Sequence, residues 1–279
     1  MLNTATAIEK IDAIAIGGFD GMHAAHQYLF QELGDRGGVV AIETGYADMT
    51  PAKHRQEHTH YPIFYYELDD IKSLNGEAFV NKLKSDFPSL KKIVIGFDFH
   101  FGYKRSCEGK DLKELFDGEV VIVDEVQLEG EAVHSHKIRK LLEKGNLEKA
   151  NLFLGYNYTL KGEVIQGQGL GKDKLVATMN LSVKAYRIPK EGVYASLTRL
   201  DDGILYPSVS FIGQRHVTDG SFAIETHLLD QKDISSQKAE ISFLHYIREN
   251  KPFDSFEALK EQINQDIQEA QKVIRFLAL

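Results

Sequence analysis

The hydrophobic pattern of this chain changes near residue 150, and that change limits the possible folds more than any other feature. Before it, short apolar runs typical of buried strands alternate with segments of helical periodicity. The strand candidates are residues 12–16, 39–43, 63–68, 92–97 and 119–123, and the helix candidates are 24–33, 76–87, 111–116 and 135–142. Such alternation predicts an α/β domain with a parallel sheet covered by helices. A ligand is expected beyond the carboxyl ends of its strands.

The second half reads almost entirely as strands. After a short helical stretch at 147–154 and a break at Gly155, the strand candidates are residues 159–165, 178–183, 193–199, 205–212, 221–227 and 239–247. Glycine-bearing turns separate most of them, which predicts a small antiparallel barrel. A last helix is capped by Ser255, and its packing face is expected at Phe256, Leu259, Ile263, Ile267, Ala270 and Ile274. We therefore predict two domains, residues 1–154 and 155–279.

Composition narrows the classes of function. A net charge of −8 does not indicate the excess of positive charge that proteins use to bind nucleic acid or an anionic membrane. The apolar runs are strand-sized, and residues 1–10 lack a basic stretch followed by an apolar core, so we expect neither export nor a membrane span. The lone Cys107 fits a reducing compartment. We expect a cytoplasmic monomer or weak homo-oligomer that acts on small molecules.

The junction between the first strand and the first helix predicts a phosphate site. Residues 17–26 read Gly-Gly-Phe-Asp-Gly-Met-His-Ala-Ala-His, directly after the apolar run 11–16. A strand that breaks at two glycines and enters a helix places the free N–H groups of the helix start and the cationic edges of His23 and His26 toward one anion. This favours nucleotide chemistry.

This segment resembles the Gly-x-Phe-Asp-x-x-His-x-Gly-His signature of the nucleotidyltransferase superfamily. Within that superfamily it is most similar to the FAD synthetase module of bacterial bifunctional riboflavin kinase/FAD synthetases. The resemblance implies a Rossmann-like nucleotidyltransferase domain in which His23 and His26 are catalytic. The implied ATP and phosphate contacts here are Gly17, Phe19, Asp20 and Gly21. Ala25 stands where the family has glycine.

Two further segments of the first half resemble the same family. Residues 95–106 are similar to its flavin-contacting loop, which implies flavin contacts at Asp98, Phe99, Phe101 and Gly102. Residues 133–139 resemble the helix start that holds the ATP phosphates, and Ser135 and Arg139 match that motif. His134 and His136 replace its serine and threonine.

The second half resembles the riboflavin kinase module. The resemblance implies phosphate contacts in its glycine-rich turn, at Gly167, Gly169, Gly171 and Lys172. Thr178 and Asn180 match the polar pair of its Pro-Thr-Ala-Asn motif and are the implied Mg²⁺ ligands, while Ala177 replaces the proline. Glu225 matches the catalytic carboxylate and is the candidate general base, and Arg215 is an implied flavin contact.

The predicted function is therefore ATP- and Mg²⁺-dependent phosphorylation of riboflavin to FMN, followed by adenylylation of FMN to FAD with release of pyrophosphate. Because Ala25 and Ala177 depart from the family, two alternatives stay open: a riboflavin kinase with a degenerate adenylyltransferase domain, and a flavin- or nucleotide-binding protein without catalysis.

A metal-dependent hydrolase is a third alternative. His54 and His58 are four residues apart and could share a helix face, a spacing used for Zn²⁺, with His60 close by. No glutamate stands between them in the register of His-Glu-x-x-His, so a polar loop is the favoured interpretation.

Overall fold

The first sheet confirms the predicted parallel α/β architecture. The computed structural model describes residues 8–165, 176–215, 220–229 and 236–277. Contacts divide the chain into two compact units, one ending at Ser135 and one beginning at His136. The predicted boundary between the two functional domains, after residue 154, stays a prediction.

The first unit carries these elements in chain order: β1 Ala13–Gly17, α1 Ala24–Gln31, β2 Gly37–Glu43, a 3-10 helix Ala52–His58, β3 Ile63–Glu67, α2 Leu68–Ile71, α3 Gly76–Asp86, β4 Lys92–Gly96, β5 His100–Phe101, a 3-10 turn Tyr103–Arg105, β6 Cys107–Glu108, α4 Gly109–Leu115, β7 Glu119–Val123, β8 Gln127–Leu128 and β9 Glu131–Ala132. Five strands form a parallel sheet in the order β3-β2-β1-β4-β7. The short strands pair as two hairpins, β5 with β6 and β8 with β9.

Alternate residues of β1 explain why both faces of this sheet are covered. Ile14 and Ile16 belong to one buried cluster, together with Phe79 and Leu83 of α3. Ala13 and Ala15 belong to the opposite cluster, which includes Leu29 and Phe30 of α1. Because neighbouring strand residues point to opposite faces, an almost wholly apolar strand requires a partner on each side.

The second unit holds α5 Ser135–Lys144, whose first residue closes the first unit, followed by α6 Leu147–Leu154, β10 Thr159–Ile165, β11 Met179–Val183, β12 Gly192–Leu200, β13 Leu205–Gln214, β14 Phe222–Leu228, β15 Lys238–Arg248 and α7 Phe256–Leu277. The six strands close into a barrel in the order β10-β11-β14-β13-β12-β15, and every pairing is antiparallel. This confirms the predicted all-β class. No helix in the described part of the chain is long and apolar enough to cross a membrane.

The last helix packs on the barrel, but its predicted packing face is only partly buried, since Ala270 is buried whereas Phe256 is 37% exposed. The other buried residue of the helix is charged. Ser255 accepts the amide of Ala258 at 3.1 Å, which confirms the cap. Asp266 is buried and binds Arg248 of β15 through two contacts of 2.8 and 2.7 Å. The apolar pattern carries no signal for this pair.

Replacing Asp266 with alanine is expected to destabilise the second unit by about 3 kcal/mol, because Arg248 loses a bidentate partner at a site with little access to water. Urea unfolding followed by circular dichroism measures the change. Glu269→Ala, which removes an exposed partner of Lys272, serves as the control and should cost at most about 1 kcal/mol. Equal losses in the two variants would contradict this assignment.

Candidate functional site

The histidine-containing turn lies where the order of strands in the first sheet reverses. It follows the carboxyl end of β1, with β2 and β3 on one side and β4 and β7 on the other. Ligands of open α/β sheets bind at this reversal point. The sequence expectation for the position of the turn is therefore met by the topology.

The turn has an unusual backbone. Phe19 and Met22 adopt φ angles of 49° and 41°, a left-handed conformation that costs a residue with a side chain of order 1–3 kcal/mol. Both side chains are buried in the cluster that lies under α1. Burial and the hydrogen bonds of the turn together hold this conformation, which is typical of functional loops.

Asp20 braces the turn against the segment that precedes the first 3-10 helix. Its buried Oδ1 accepts the amides of Met49 and Thr50 at 2.9 and 3.2 Å. Thr50 Oγ1 in return accepts the amide of Gly21 at 2.8 Å. The Asp20 carboxylate therefore accepts hydrogen bonds from the backbone of residues 49–50. Its contact with ATP stays a prediction.

His23 occupies the N-cap position of α1 without a capping side-chain hydrogen bond, and its side chain instead contacts the start of α5. Its Nε2 lies 3.1 Å from Ser135 Oγ, and Ser135 Oγ donates to the carbonyl of Asp20 at 2.9 Å. A hydroxyl has one hydrogen, so Ser135 accepts from His23, whose Nε2 carries the proton. Two predicted site residues that are 112 positions apart thus share a hydrogen bond.

His26 stacks on His23 and is kept neutral. The two ring centroids are 3.5 Å apart with planes 18° from parallel. The centroids of the Phe19 and His26 rings are 5.1 Å apart, and these two planes are nearly perpendicular at 83°. Burial lowers the pKa of His26 well below its usual value, and the nearby His23 and Arg55 lower it further. The sequence expectation of two cationic imidazoles therefore does not hold for His26 in the ligand-free chain.

The low pKa of His26 predicts a pH-dependent stability. The native chain excludes a proton that the unfolded chain takes up near the ordinary histidine pKa of about 6.5. The free energy of unfolding should therefore fall as pH drops below about 6.5, by up to about 1.4 kcal/mol per pH unit. In His26→Gln this fall should be shallower, because one proton-binding group is gone.

Unfolding of both proteins in urea at pH 8, 7, 6 and 5.5 tests this prediction. The other histidines are common to both proteins, so their contributions cancel in the difference. Parallel curves for the two proteins would show that the folded chain does not suppress protonation of His26.

Arg55 is a residue of this region that sequence reasoning missed. Its side chain is fully buried, forms an ion pair with Glu43 at the end of β2, and lies 5.7 Å from the centroid of the Tyr65 ring. Its Nε is buried without a hydrogen-bond partner among the described residues. The segment 44–59 has no helical periodicity, so nothing in the sequence distinguished Arg55 from a solvent-exposed loop residue.

The segment predicted to hold the ATP phosphates forms the start of a helix, and the segment predicted to contact flavin forms a loop with two short strands. Ser135 begins α5, and Arg139 lies one turn further along that helix. In the flavin loop, Phe101 is 5% exposed and stacks at 5.9 Å on Phe99, which packs against the same core. Phe97 and Tyr103, at 48% and 53% exposure, are the most exposed aromatic rings of this loop, and the sequence did not single out either of them.

The barrel brings three predicted kinase residues together through Arg215. Glu225 of β14 pairs in register with Asn180 of β11. Arg215, just after β13, donates from Nε to Glu225 at 2.7 Å, from one terminal nitrogen to Asn180 Oδ1, and from the other to Ser221 Oγ at 2.9 Å. Asn180 is 35 positions from Arg215 in the sequence, and the pairing of β11 with β14 brings it to the other two residues.

The remaining kinase residues are only partly described. Thr178 is exposed and immediately precedes β11, two residues before Asn180. His227 of β14 contacts the carbonyl of the neighbouring Ala177 at 2.8 Å. The predicted phosphate contacts Gly167, Gly169, Gly171 and Lys172 lie outside the described residues.

The arrangement of His54 does not favour the metal-hydrolase alternative. A 3-10 helix has three residues per turn, so His54 faces Glu57, at 3.2 Å, and not His58. Among the described residues no group of three or more histidine, cysteine, aspartate or glutamate side chains could hold a metal ion.

Comparisons with known proteins find matches in both halves of the chain. A family model described as riboflavin kinase matches residues 154–274, and one described as FAD synthetase matches residues 63–137. The second match contains the flavin loop and Ser135, while the histidine-containing turn precedes it. A crystal structure described as a macrolide-efflux protein from Streptococcus pneumoniae is similar with a TM-score of 0.83 and 25% identity, over 94% of each chain.

Curated relatives match along nearly the whole chain. A bifunctional riboflavin kinase/FMN adenylyltransferase from Listeria monocytogenes is 30% identical, over 95% of this chain and 92% of the relative. The protein of the same description from Pseudomonas fluorescens is 29% identical, over 90% of this chain and 89% of the relative. The chain belongs to the bifunctional riboflavin kinase/FMN adenylyltransferase family.

Proposed function

We propose that this chain makes FAD from riboflavin in two steps at two separate sites. The barrel transfers the γ-phosphoryl group of ATP to riboflavin, which gives FMN and ADP. The α/β unit then joins FMN to the AMP part of a second ATP and releases pyrophosphate. The observation that carries this proposal is that each unit holds a hydrogen-bonded cluster of residues that match the motifs of the family. In the barrel the cluster is centred on Arg215, and in the α/β unit it is centred on His23.

In the kinase step, the terminal hydroxyl of riboflavin attacks the γ-phosphorus while the bond to the β-phosphate oxygen breaks. The hydroxyl proton must leave as the new bond forms, and Glu225 is the carboxylate proposed to accept it. Arg215 holds this carboxylate at 2.7 Å and so fixes its direction. As an implied flavin contact, Arg215 would also link the base to the bound substrate.

The donor set at this site is compatible with Mg²⁺. The Thr178 hydroxyl and the Asn180 amide oxygen are hard ligands, and Mg²⁺ usually needs few protein ligands because phosphates and water complete its shell. Asn180 Oδ1 accepts from Arg215, and an amide oxygen has a second lone pair with which it could bind a metal. When bound, Mg²⁺ would neutralise the charge of the ATP phosphates.

In the adenylyl-transfer step, a phosphate oxygen of FMN attacks the α-phosphorus of ATP. Phosphate is already a nucleophile, so no base is needed and positioning supplies most of the catalysis. The start of α1 with His23 and His26, together with Ser135 at the start of α5, is the proposed site that holds the transferring group through N–H and O–H donors. Arg139 stays a predicted phosphate contact. The hydrogen bond from His23 to Ser135 joins these two helix starts, which supports a shared role.

Product analysis tests the proposal. Purified protein is incubated with ATP and Mg²⁺, once with riboflavin and once with FMN, and the flavins are separated by chromatography. We expect FMN and then FAD from riboflavin, and FAD from FMN. If riboflavin gave FMN but neither incubation gave FAD, the result would support a riboflavin kinase with a degenerate adenylyltransferase domain. If neither incubation gave any product, the result would support a binding protein without catalysis.

We further propose a cytoplasmic location and small molecules as the ligands of this chain. The net charge of −8 supports the absence of nucleic acid or anionic membrane partners. The single cysteine fits a reducing compartment.

A further inference from the structure

The inside of the barrel contains a cluster of buried hydroxyl groups that the proposed mechanism does not use. Five side chains on three adjacent strands take part, and four of them are 0% exposed while Thr226 is 1% exposed. They are Ser196 and Thr198 of β12, Ser208 and Ser210 of β13, and Thr226 of β14. Buried hydroxyls are costly unless they are hydrogen-bonded.

These hydroxyls form a closed ring. The oxygen-to-oxygen distances are 2.8 Å for Ser196 to Ser208, 2.8 Å for Ser208 to Thr198, 3.0 Å for Thr198 to Thr226, 3.0 Å for Thr226 to Ser210 and 2.7 Å for Ser210 to Ser196. Each hydroxyl can donate once and accept once around such a ring, and the carbonyl of Ser208, 3.2 Å from Ser196 Oγ, is a second acceptor for the Ser196 hydrogen. We call these five residues the hydroxyl ring.

The ring joins the strands that carry the kinase cluster. Thr226 is the neighbour of Glu225 on β14, and adjacent strand residues point to opposite faces. Thr226 therefore anchors the strand from inside the barrel, while Glu225 projects from the other face. On β13, Ser210 pairs in register with Thr226, and Phe211 with Glu225, four residues before Arg215.

We propose that the hydroxyl ring is a positioning element of the kinase site, with Thr226 as the ring member that holds Glu225 against Arg215. The backbone ladder sets the register of β13 and β14, and hydrogen bonds between their side chains are directional, so they further restrain how the two strands lie against each other. The ring thus restrains β13 and β14 at the place where Arg215 and Glu225 must meet. This inference rests on the proposed kinase function of the barrel.

The test compares Thr226→Val, which keeps the shape and removes the hydroxyl, with Thr226→Ser, which keeps the hydroxyl. With riboflavin as substrate, Thr226→Val should lower kcat about 10-fold or more and change KM less, since a displacement of about 1 Å at a reacting group can cost about 100-fold. Thr226→Ser should restore most of kcat. FAD formation from supplied FMN should not change in either variant.

Thr159→Val is the matched control, because Thr159 is a barrel threonine with two hydrogen bonds of 2.8 Å that lie outside the ring. Its kcat should stay near that of the unmodified chain. The proposal fails if Thr226→Val phosphorylates riboflavin with unchanged kcat, or if Thr159→Val loses as much. If the unmodified chain itself makes no FMN, the proposed function fails instead.

A second set of variants keeps the test usable if Thr226→Val does not fold. Ser210→Ala removes a smaller ring member and should also lower kcat without affecting FAD formation from FMN. Ser196→Ala is measured alone and combined with Ser210→Ala. The fall in log kcat of this double variant should be well below the sum of the two single falls, because both changes break the same ring. Unchanged kcat in Ser210→Ala, or additive losses in the double variant, would contradict a cooperative ring.

Discussion

Replacing Glu225 with glutamine is expected to reduce riboflavin phosphorylation about 100-fold or more, while FAD formation from supplied FMN remains. The glutamine oxygen can still accept from Arg215 Nε, which Glu225 binds at 2.7 Å, so the local geometry is preserved. What is lost is a carboxylate that can take the proton of the attacking hydroxyl. Rates of FMN and FAD formation, measured separately, give the result.

Glu240→Gln is the control for this prediction. Glu240 lies on another strand of the same barrel and binds Lys161 at 2.7 Å, so the control also neutralises a carboxylate in an ion pair. It should phosphorylate riboflavin at nearly the unmodified rate. If Glu225→Gln kept full kinase activity, or lost both activities equally, Glu225 could not be the base of a separate kinase site.

The reverse pattern is expected for His26→Ala. FAD formation from FMN should fall about 100- to 1000-fold, because the variant removes a group proposed to stabilise charge on the transferring adenylyl group. FMN formation from riboflavin should be unaffected. Chromatographic rates on both substrates measure the two effects in one preparation.

His54→Ala is the control, since His54 belongs to the neighbouring 3-10 helix and contacts Glu57. It should retain both activities. His26→Gln adds a second check, because it keeps bulk next to the stacked His23 ring. If both His26 variants made FAD from FMN at the unmodified rate, His26 would have no role in adenylyl transfer.

The fold class was predictable because both halves have strong periodicity. The apolar run of β1 and the amphipathic α1 required a covered parallel sheet, and the regular strands after residue 155 required an antiparallel one. Barrel closure, in which β12 pairs with β15, depends on pairings between distant segments that periodicity does not contain. The exact ends of strands and helices moved by one or two residues, as expected when end residues depend on tertiary contacts.

The sequence named candidate site residues one by one but did not predict how they cluster. Motif resemblance identified Arg215, Glu225 and Asn180 separately, whereas their joint ion-pair and hydrogen-bond network depends on strand register. Arg55 was missed because burial of a charged residue follows from its partner Glu43, which sequence spacing does not reveal. The hydroxyl ring was missed for a similar reason, since serine and threonine in a strand are usually read as its solvent face.

The most direct test of two sites that act in sequence is to follow labelled phosphorus from ATP into the flavins. Riboflavin is incubated with ATP labelled at the γ-phosphorus in one reaction and at the α-phosphorus in another. The account predicts that γ-label enters FMN and is carried into FAD, whereas α-label enters FAD alone. Label from the α-phosphorus in FMN, or FAD made from riboflavin without any γ-label, would contradict it.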